Sequence, residues 1–394
     1  MSTETALILK TAAALVVAFV ISFALTPLVK KFAHRVGAMD VPKDARRMHS
    51  VPIPRLGGLA IFLGFLLSVL IFVDLTPQIQ SVLLGGVLIV VLGVIDDIHP
   101  LRAWIKLIVQ IVAALIPVCS GVVVRILSNP FFFTDNSYIQ LGALAIPITV
   151  IWIVLITNAV NLIDGLDGLA AGVSVIASLS VIVVAMVLGD WITAVIMAAL
   201  AGGCVGFIPY NFNPAKIFMG DTGATFLGYI MATVSVMGLF KSYAIISFVV
   251  PFLILGLPIF DTCFAFCRRL MRGKNPMAPD RSHVHHRLID MGLNQKQAVA
   301  ILYVVSVILG LSAVVLATSG ALKAIIVLCA ICVAVLVALQ VFRYSHNVQT
   351  HREEPPHEAE DAPEKTEKQA EQPTEEPAVP ASLPESDAES EKKD

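Results

Sequence analysis

Charge is scarce in this chain. Of its 394 residues, 14% are Asp, Glu, Lys or Arg and 57% are hydrophobic, with a mean hydropathy of +0.84; a soluble domain carries about 25% charge. A water-soluble globule is excluded. Cysteine is scarce as well. The six present (Cys119, Cys204, Cys263, Cys267, Cys329 and Cys332) all lie in apolar runs. No second pair or histidine cluster accompanies the CxxC of Cys329 and Cys332, so neither a disulfide framework nor a zinc site is expected of them. The N-terminus lacks a basic start and a clear small-residue cleavage site, which marks the first apolar run as a retained span rather than a signal peptide.

Apolar sequence is abundant, in runs of about 20 residues that suffice for a helix to cross a hydrocarbon core. Such runs fall at 6–28, 56–73, 79–95, 103–120, 142–160, 168–188, 190–208, 223–240, 243–266, 297–318 and 321–342. The expected fold is an all-α polytopic membrane protein of ten or eleven transmembrane helices. Odd-numbered connections hold 17 Lys or Arg, whereas the even ones and the N-terminal end hold only Lys10, Arg125, Lys241 and Lys323. That asymmetry puts the odd connections in the cytoplasm and the N-terminus outside. From His351 to the end, 15 Asp or Glu face 5 Lys or Arg without apolar periodicity. The expected organisation is therefore a transmembrane catalytic domain at 1–345 and a disordered, acidic cytoplasmic tail at 346–394.

Residues able to do chemistry follow the same parity. Asp96 and Asp97 end the third span, with Pro100 just beyond; they read as a solvated helix end or as a metal or base pair. Asn158, Asn161, Asp164 and Asp167 recur every three residues and share a drifting face while the backbone stays helical. Asn213 and the sequence Gly220-Asp221-Thr222-Gly223 precede the eighth span. There Asp221 or Thr222 is a candidate N-cap, and the helix start is a candidate phosphate site. Arg281, His283, His285, His286 and Arg287 form a basic cluster suited to an anion, with zinc as the weaker alternative. Arg46, Arg47, His49 and Arg55 in the first connection suit anionic headgroups or a lipid phosphate. Asp261, within the ninth span, is expected to pair with a neighbouring helix. Several aspartates would repel a phosphorylated substrate unless a divalent cation lies between them, and oxygen ligands favour Mg²⁺ or Mn²⁺. The sum reads as phosphoryl transfer at a bilayer surface, between one lipid and one soluble partner.

Asn161-Leu-Ile-Asp-Gly-Leu-Asp167-Gly, Pro214-Ala-Lys-Ile-Phe-Met-Gly-Asp221-Thr-Gly and His283-Val-His-His286-Arg, spaced this way among the spans, closely resemble the polyprenyl-phosphate N-acetylhexosamine-1-phosphate transferases. That group is glycosyltransferase family 4, which includes the bacterial undecaprenyl-phosphate GlcNAc-1-phosphate transferases and is related to lipid I synthase. The resemblance covers residues 1 to about 345. It implies transfer of GlcNAc-1-phosphate from UDP-GlcNAc, or another UDP-HexNAc, to undecaprenyl phosphate with Mg²⁺ or Mn²⁺. Products are undecaprenyl-diphosphate-GlcNAc and UMP, in the first membrane step of a cell-envelope polysaccharide or teichoic acid. It further implies a bacterial inner-membrane setting, admits a homodimer, and involves no nucleic acid.

By the same resemblance Asp221 and Asn161 are metal ligands, and Asp96, Asp97 and Asp164 are catalytic. Asp164, Asp167 and Asn213 lie near the nucleotide. His283, His285 and His286 match the sugar-phosphate loop; Arg281 and Arg287 join them, and Arg46, Arg47, His49 and Arg55 stand as lipid-phosphate candidates, by their charge rather than by the resemblance. Ala224 and Val51 stand where many relatives carry Ser and some carry Lys. The short histidine loop favours a UDP-HexNAc donor over the UDP-MurNAc-pentapeptide of lipid I synthesis, the nearest alternative. A proton-coupled secondary transporter is the remote one, since its ionisable groups belong near the midplane.

Overall fold

The computed structural model describes residues 2–42, 51–128, 138–239, 246–271, 273, 283–319, 323 and 329. The chain divides into two units, Met1–Val337 and Ala338–Asp394, and every described residue belongs to the first. Nearly all of the expected eleventh span, the whole expected tail at 346–394, and the site candidates Arg46, Arg47, His49 and Arg281 lie outside the described residues.

The first helix, α1 (Thr3–Val36), starts where the Ser2 hydroxyl accepts the Thr5 N–H at 3.2 Å, and it stops at Gly37, whose φ is 75°. It runs past the expected end at residue 28. Lys30, Lys31 and Arg35 are good helix formers, and no glycine interrupts the run before Gly37. After it come α2 (Gly58–Phe72), α3 (Pro77–Ile98), α4 (Ala103–Cys119), α5 (Ala145–Ile163), α6 (Leu169–Val187), α7 (Trp191–Asn211) and α8 (Gly220–Gly238). The remainder are α9 (Ile246–Ile254), α10 (Gly256–Met271), α11 (Val284–Asp290) and α12 (Gln295–Ser319). Two short antiparallel hairpins complete the described residues: β1 (Met39–Asp40) with β2 (Ile53–Pro54), and β3 (Ile126–Ser128) with β4 (Tyr138–Gln140).

Among the described residues, 6 helical segments are long and apolar enough to cross a membrane, and α2 and α4 are apolar but shorter. The chain is a mostly helical, polytopic membrane protein. One expectation needs correcting. The run at 243–266 is not a single helix but α9 followed by α10. Pro258 has no N–H to offer the Ile254 carbonyl, and α9 ends at Ile254.

In lipid there is little hydrophobic drive between helices, so close backbone approach decides the packing. Ala14, Ala18 and Ser22, each four residues after the last, are wholly buried on α1. Ala18 and Ser22 face Gly202 and Gly206 of α7, where any side chain would run into the Leu15 and Phe19 carbonyls. Nearly every residue of α8 is buried, which makes it a central element. Its Tyr229 hydroxyl reaches the Ala113 carbonyl of α4 at 3.3 Å. Outward-facing Leu9, Val16, Leu84, Val91 and Ile108 are exposed apolar surface of the kind hydrocarbon covers.

Candidate active site

The polar segments of the odd connections meet at one end of the bundle. Phe218 donates its N–H to the Pro54 carbonyl at 2.8 Å, while Gly57 and Gly58 donate theirs to Phe218 and Met219 at 2.9 Å. This short ladder lays the first connection along the start of α8 and presents Arg55 there. Asn211, buried at the end of α7, donates to the Ile217 carbonyl and accepts the Gly168 N–H, both at 3.0 Å. It thereby holds two connections together. From behind, the Tyr303 hydroxyl of α12 donates to the Gly168 carbonyl at 2.6 Å.

Asp97, near the end of α3, caps a helix far from it in sequence. Its carboxylate accepts the Asp221 and Thr222 N–H groups at 3.0 Å each and the Thr222 hydroxyl at 2.7 Å. Neither Asp221 nor Thr222 caps α8 with its own side chain, and two of the first-turn N–H groups, those of Asp221 and Thr222, are taken by Asp97. Gly220 lets this happen. Its φ is +71°, and a side chain there would collide with the Asp97 carboxylate.

Two cations bind the acids into a network. Lys106 of α4 reaches Asp96 at 3.0 Å and Asp221 at 2.8 Å. Arg55 lies 3.4 Å from Asp97 and 3.8 Å from Asp221. Like charges about 4 Å apart repel by roughly 4 kcal/mol at an effective dielectric near 20, so this cluster needs those cations. Asp164 differs. It caps the end of α5, donating its N–H to the Asn161 carbonyl at 3.3 Å, and its carboxylate has no hydrogen-bond or ion-pair partner among the described residues. Burial, then the charges of Asp221 and Asp97, push its carboxyl up to about 7, with Arg55 pulling the other way. Among the described residues no group of three or more His, Cys, Asp or Glu is already arranged around a metal position.

These residues border a cavity of about 570 Å³. Arg55, Asn161, Asp164, Asp167, Asn213 and Asp221 all line it, with His286 at its edge. Asp96 and Asp97 stand behind this lining, linked to it through Lys106 and the start of α8. The four-residue polar face at 158–167 is split. Asn158 turns away from the cavity, donating to Gln110 at 2.6 Å and to the Val154 carbonyl at 2.8 Å. At that depth α5 is packed against α4, and a buried amide pairs with the nearest amide.

The histidines also separate. Asp261 pairs with a neighbouring helix as expected, accepting the Val284 N–H at 2.9 Å and meeting His283 Nδ1 at 2.8 Å. It caps α11. His285 is buried beneath Gly165, where any side chain would strike its ring. Its Nδ1 has no hydrogen-bond partner among the described residues, and burial together with His286 lowers its pKa to about 4. Arg287 stacks over Phe264, 5.5 Å from the ring centre. Only His286 of the three borders the cavity.

Sequence reasoning missed Lys106 as a site residue, along with Gln295 and the capping by Asp97. Lys106 stood ten residues after Asp96, and that spacing was the available signal; the other contacts span 82 to 125 residues.

The profile of glycosyl transferase family 4 matches residues 79–239. A probable undecaprenyl-phosphate N-acetylglucosaminyl 1-phosphate transferase of Bacillus subtilis (strain 168) is 43% identical over 307 residues, covering 77% of this chain and 85% of the relative. A decaprenyl-phosphate N-acetylglucosaminephosphotransferase of Mycolicibacterium smegmatis is 34% identical over 314 residues, covering 73% and 77%. A phospho-N-acetylmuramoyl-pentapeptide-transferase of Heliobacterium modesticaldum is 38% identical over 206 residues, covering 50% and 63%.

Proposed function

Because the chain belongs to glycosyl transferase family 4, we propose that it transfers GlcNAc-1-phosphate from UDP-GlcNAc to undecaprenyl phosphate. The lipid phosphate oxygen bonds to the phosphorus that carries the sugar, the bond from that phosphorus to UMP breaks, and UMP leaves. One phosphoanhydride replaces another, so no ATP is required. The observation that carries this reading is the cavity. It gathers acids, amides and Arg55 at one end of an apolar bundle, where a soluble donor can meet a lipid acceptor.

The residues divide the work by what they touch. Arg55 is free to meet a phosphate oxygen from the cavity side. Asp97 fixes the start of α8 and hence the aim of Asp221. Asp96 holds Lys106, whose ammonium faces Asp221. Asp164, with its raised pKa and open side, is the acid best suited to accept a proton or a cation. The residues suit Mg²⁺ or Mn²⁺: Asp221, Asp164 and Asn161, all bearing oxygen donors, line one cavity, and the Asp164 carboxyl has no ion-pair partner among the described residues. When bound, such an ion supplies charge neutralisation to the transferring phosphoryl group.

We place this end of the bundle in the bacterial cytoplasm on the Lys and Arg asymmetry, with 1–345 as the catalytic region. UMP release from UDP-GlcNAc, UDP-GalNAc and UDP-MurNAc-pentapeptide with undecaprenyl phosphate tests the reading. Turnover confined to the pentapeptide donor would replace it with lipid I synthesis, and turnover with none would remove it.

A further inference from the structure

On the cavity wall away from Lys106, three side chains form a chain of hydrogen bonds. Asn213 Nδ2 donates to Asp167 Oδ2 at 2.9 Å and to Gln295 Oε1 at 2.6 Å. Asp167 Oδ2 also accepts the Ala215 N–H at 3.0 Å. All three side chains border the cavity. Gln295 opens α12, outside the motifs themselves and eight residues after the histidine motif ends at Arg287.

The chemistry of the chain fixes which way both amides point. A carboxylate can only accept, so Asn213 must turn its NH₂ toward Asp167. An NH₂ has two hydrogens, and the second goes to Gln295, which must therefore turn its carbonyl oxygen toward Asn213. Both choices are made by Asp167. Among the described residues, what remains unspent is one acceptor, the Asn213 carbonyl oxygen, and one donor group, the Gln295 NH₂, on two side chains joined by the 2.6 Å bond. An adjacent acceptor and donor complement a planar edge that carries an N–H next to a C=O.

We propose that Gln295 and Asn213, locked in orientation by Asp167, form a donor–acceptor pair that reads an amide or imide edge of the nucleotide-sugar donor. This rests on the phosphosugar-transfer reading. UDP-GlcNAc carries two such edges, the uracil imide and the acetamido group. Gln295 selects between donors by hydrogen-bond direction, and does not touch the reacting phosphorus.

The substitution Gln295→Glu tests this in the purified full-length chain. Glutamate keeps an oxygen for Asn213 but turns the donor facing the cavity into an acceptor. Binding of UDP-GlcNAc, CDP-GlcNAc and UDP-glucose is measured by calorimetry, followed by KM and kcat for each. The expected result is a ten- to hundredfold rise in KM for UDP-GlcNAc with kcat within about threefold of wild type. If the pair reads uracil, the preference for UDP- over CDP-GlcNAc falls in the variant. If it reads the acetamido group, the preference for UDP-GlcNAc over UDP-glucose falls and the first ratio holds. Both ratios unchanged would overturn the proposal while wild-type turnover leaves the parent reading standing. A wild type that neither binds nor turns over UDP-GlcNAc removes both. Should Gln295→Glu fail to fold, Gln295→Met deletes the donor without adding charge and is expected to move the same ratio.

Discussion

Two helices at this end of the bundle begin alike. The N-terminal N–H groups of α8 are capped by Asp97 of α3, and that of Val284 in α11 by Asp261 of α10. In each case the cap is a carboxylate from another element. They differ in what else the carboxylate meets. Asp97 shares Arg55 with Asp221, whose other oxygen is held by Lys106, and Asp221 looks into the cavity. Asp261 meets His283, which is buried, and beyond it His285 supports the turn at Gly165. One capping device thus has two uses: the first fixes Asp221 at the cavity, and the second braces the cavity wall.

The comparison can be broken in several ways. The largest expected effect is at Asp221. Asp221→Asn should lower UMP release on the order of 10³-fold while leaving the protein folded in the membrane; parallel turnover and size-exclusion measurements check both halves. Next comes the contrast between the caps. Asp97→Ala strips a wholly buried partner from two N–H groups and a hydroxyl, and should cost about 2–4 kcal/mol of stability. Asp261→Ala should cost about 1–2 kcal/mol, with its kinetic effect mainly in KM. Equal losses in denaturant unfolding would erase the distinction.

A smaller effect concerns pH. Asp164 has a folded pKa near 7 against an ordinary 3.8. The folded state therefore holds its proton more tightly, and stability is full below 3.8 and falls as pH rises through 7. A divalent cation at this carboxylate should remove that loss. Thermal unfolding with and without MgCl₂ should then differ more at pH 8 than at pH 5.5, and Asp164→Asn should flatten the difference. The smallest effect is at His285. Its pKa, lowered to about 4 from 6.5, means stability is lost as pH falls between those values. His285→Gln should change stability by less than about 1 kcal/mol at pH 7 yet flatten that acid-side slope.

How much the sequence revealed depended on distance along the chain. Asp96 and Asp97 at a helix end, the acids at 164 and 167, and Gly220-Asp221 at a helix start were legible because each is a local pattern. The membrane character was legible because apolar length is additive. Contacts between elements were not. Nothing local shows that Asp97 would cap α8 across 124 residues, or that Asn158 would turn to Gln110 across 48. A period of three put Asn158 and Asn161 on one face, but the neighbour each face meets decides its partner. Pro258 was visible, yet apolar length alone ran across it, and the break between α9 and α10 falls just before it.

Lys106 gives the acid cluster a property that dissolved ions could not. Its positive charge is carried on a four-carbon tether rooted in α4, so it stays beside Asp96 and Asp221 however dilute the surrounding medium becomes. Mobile counterions thin out as ionic strength falls, and the repulsion they hide returns. A covalently anchored ammonium makes the resting charge balance of this corner a fixed feature of the polypeptide rather than of the solution around it.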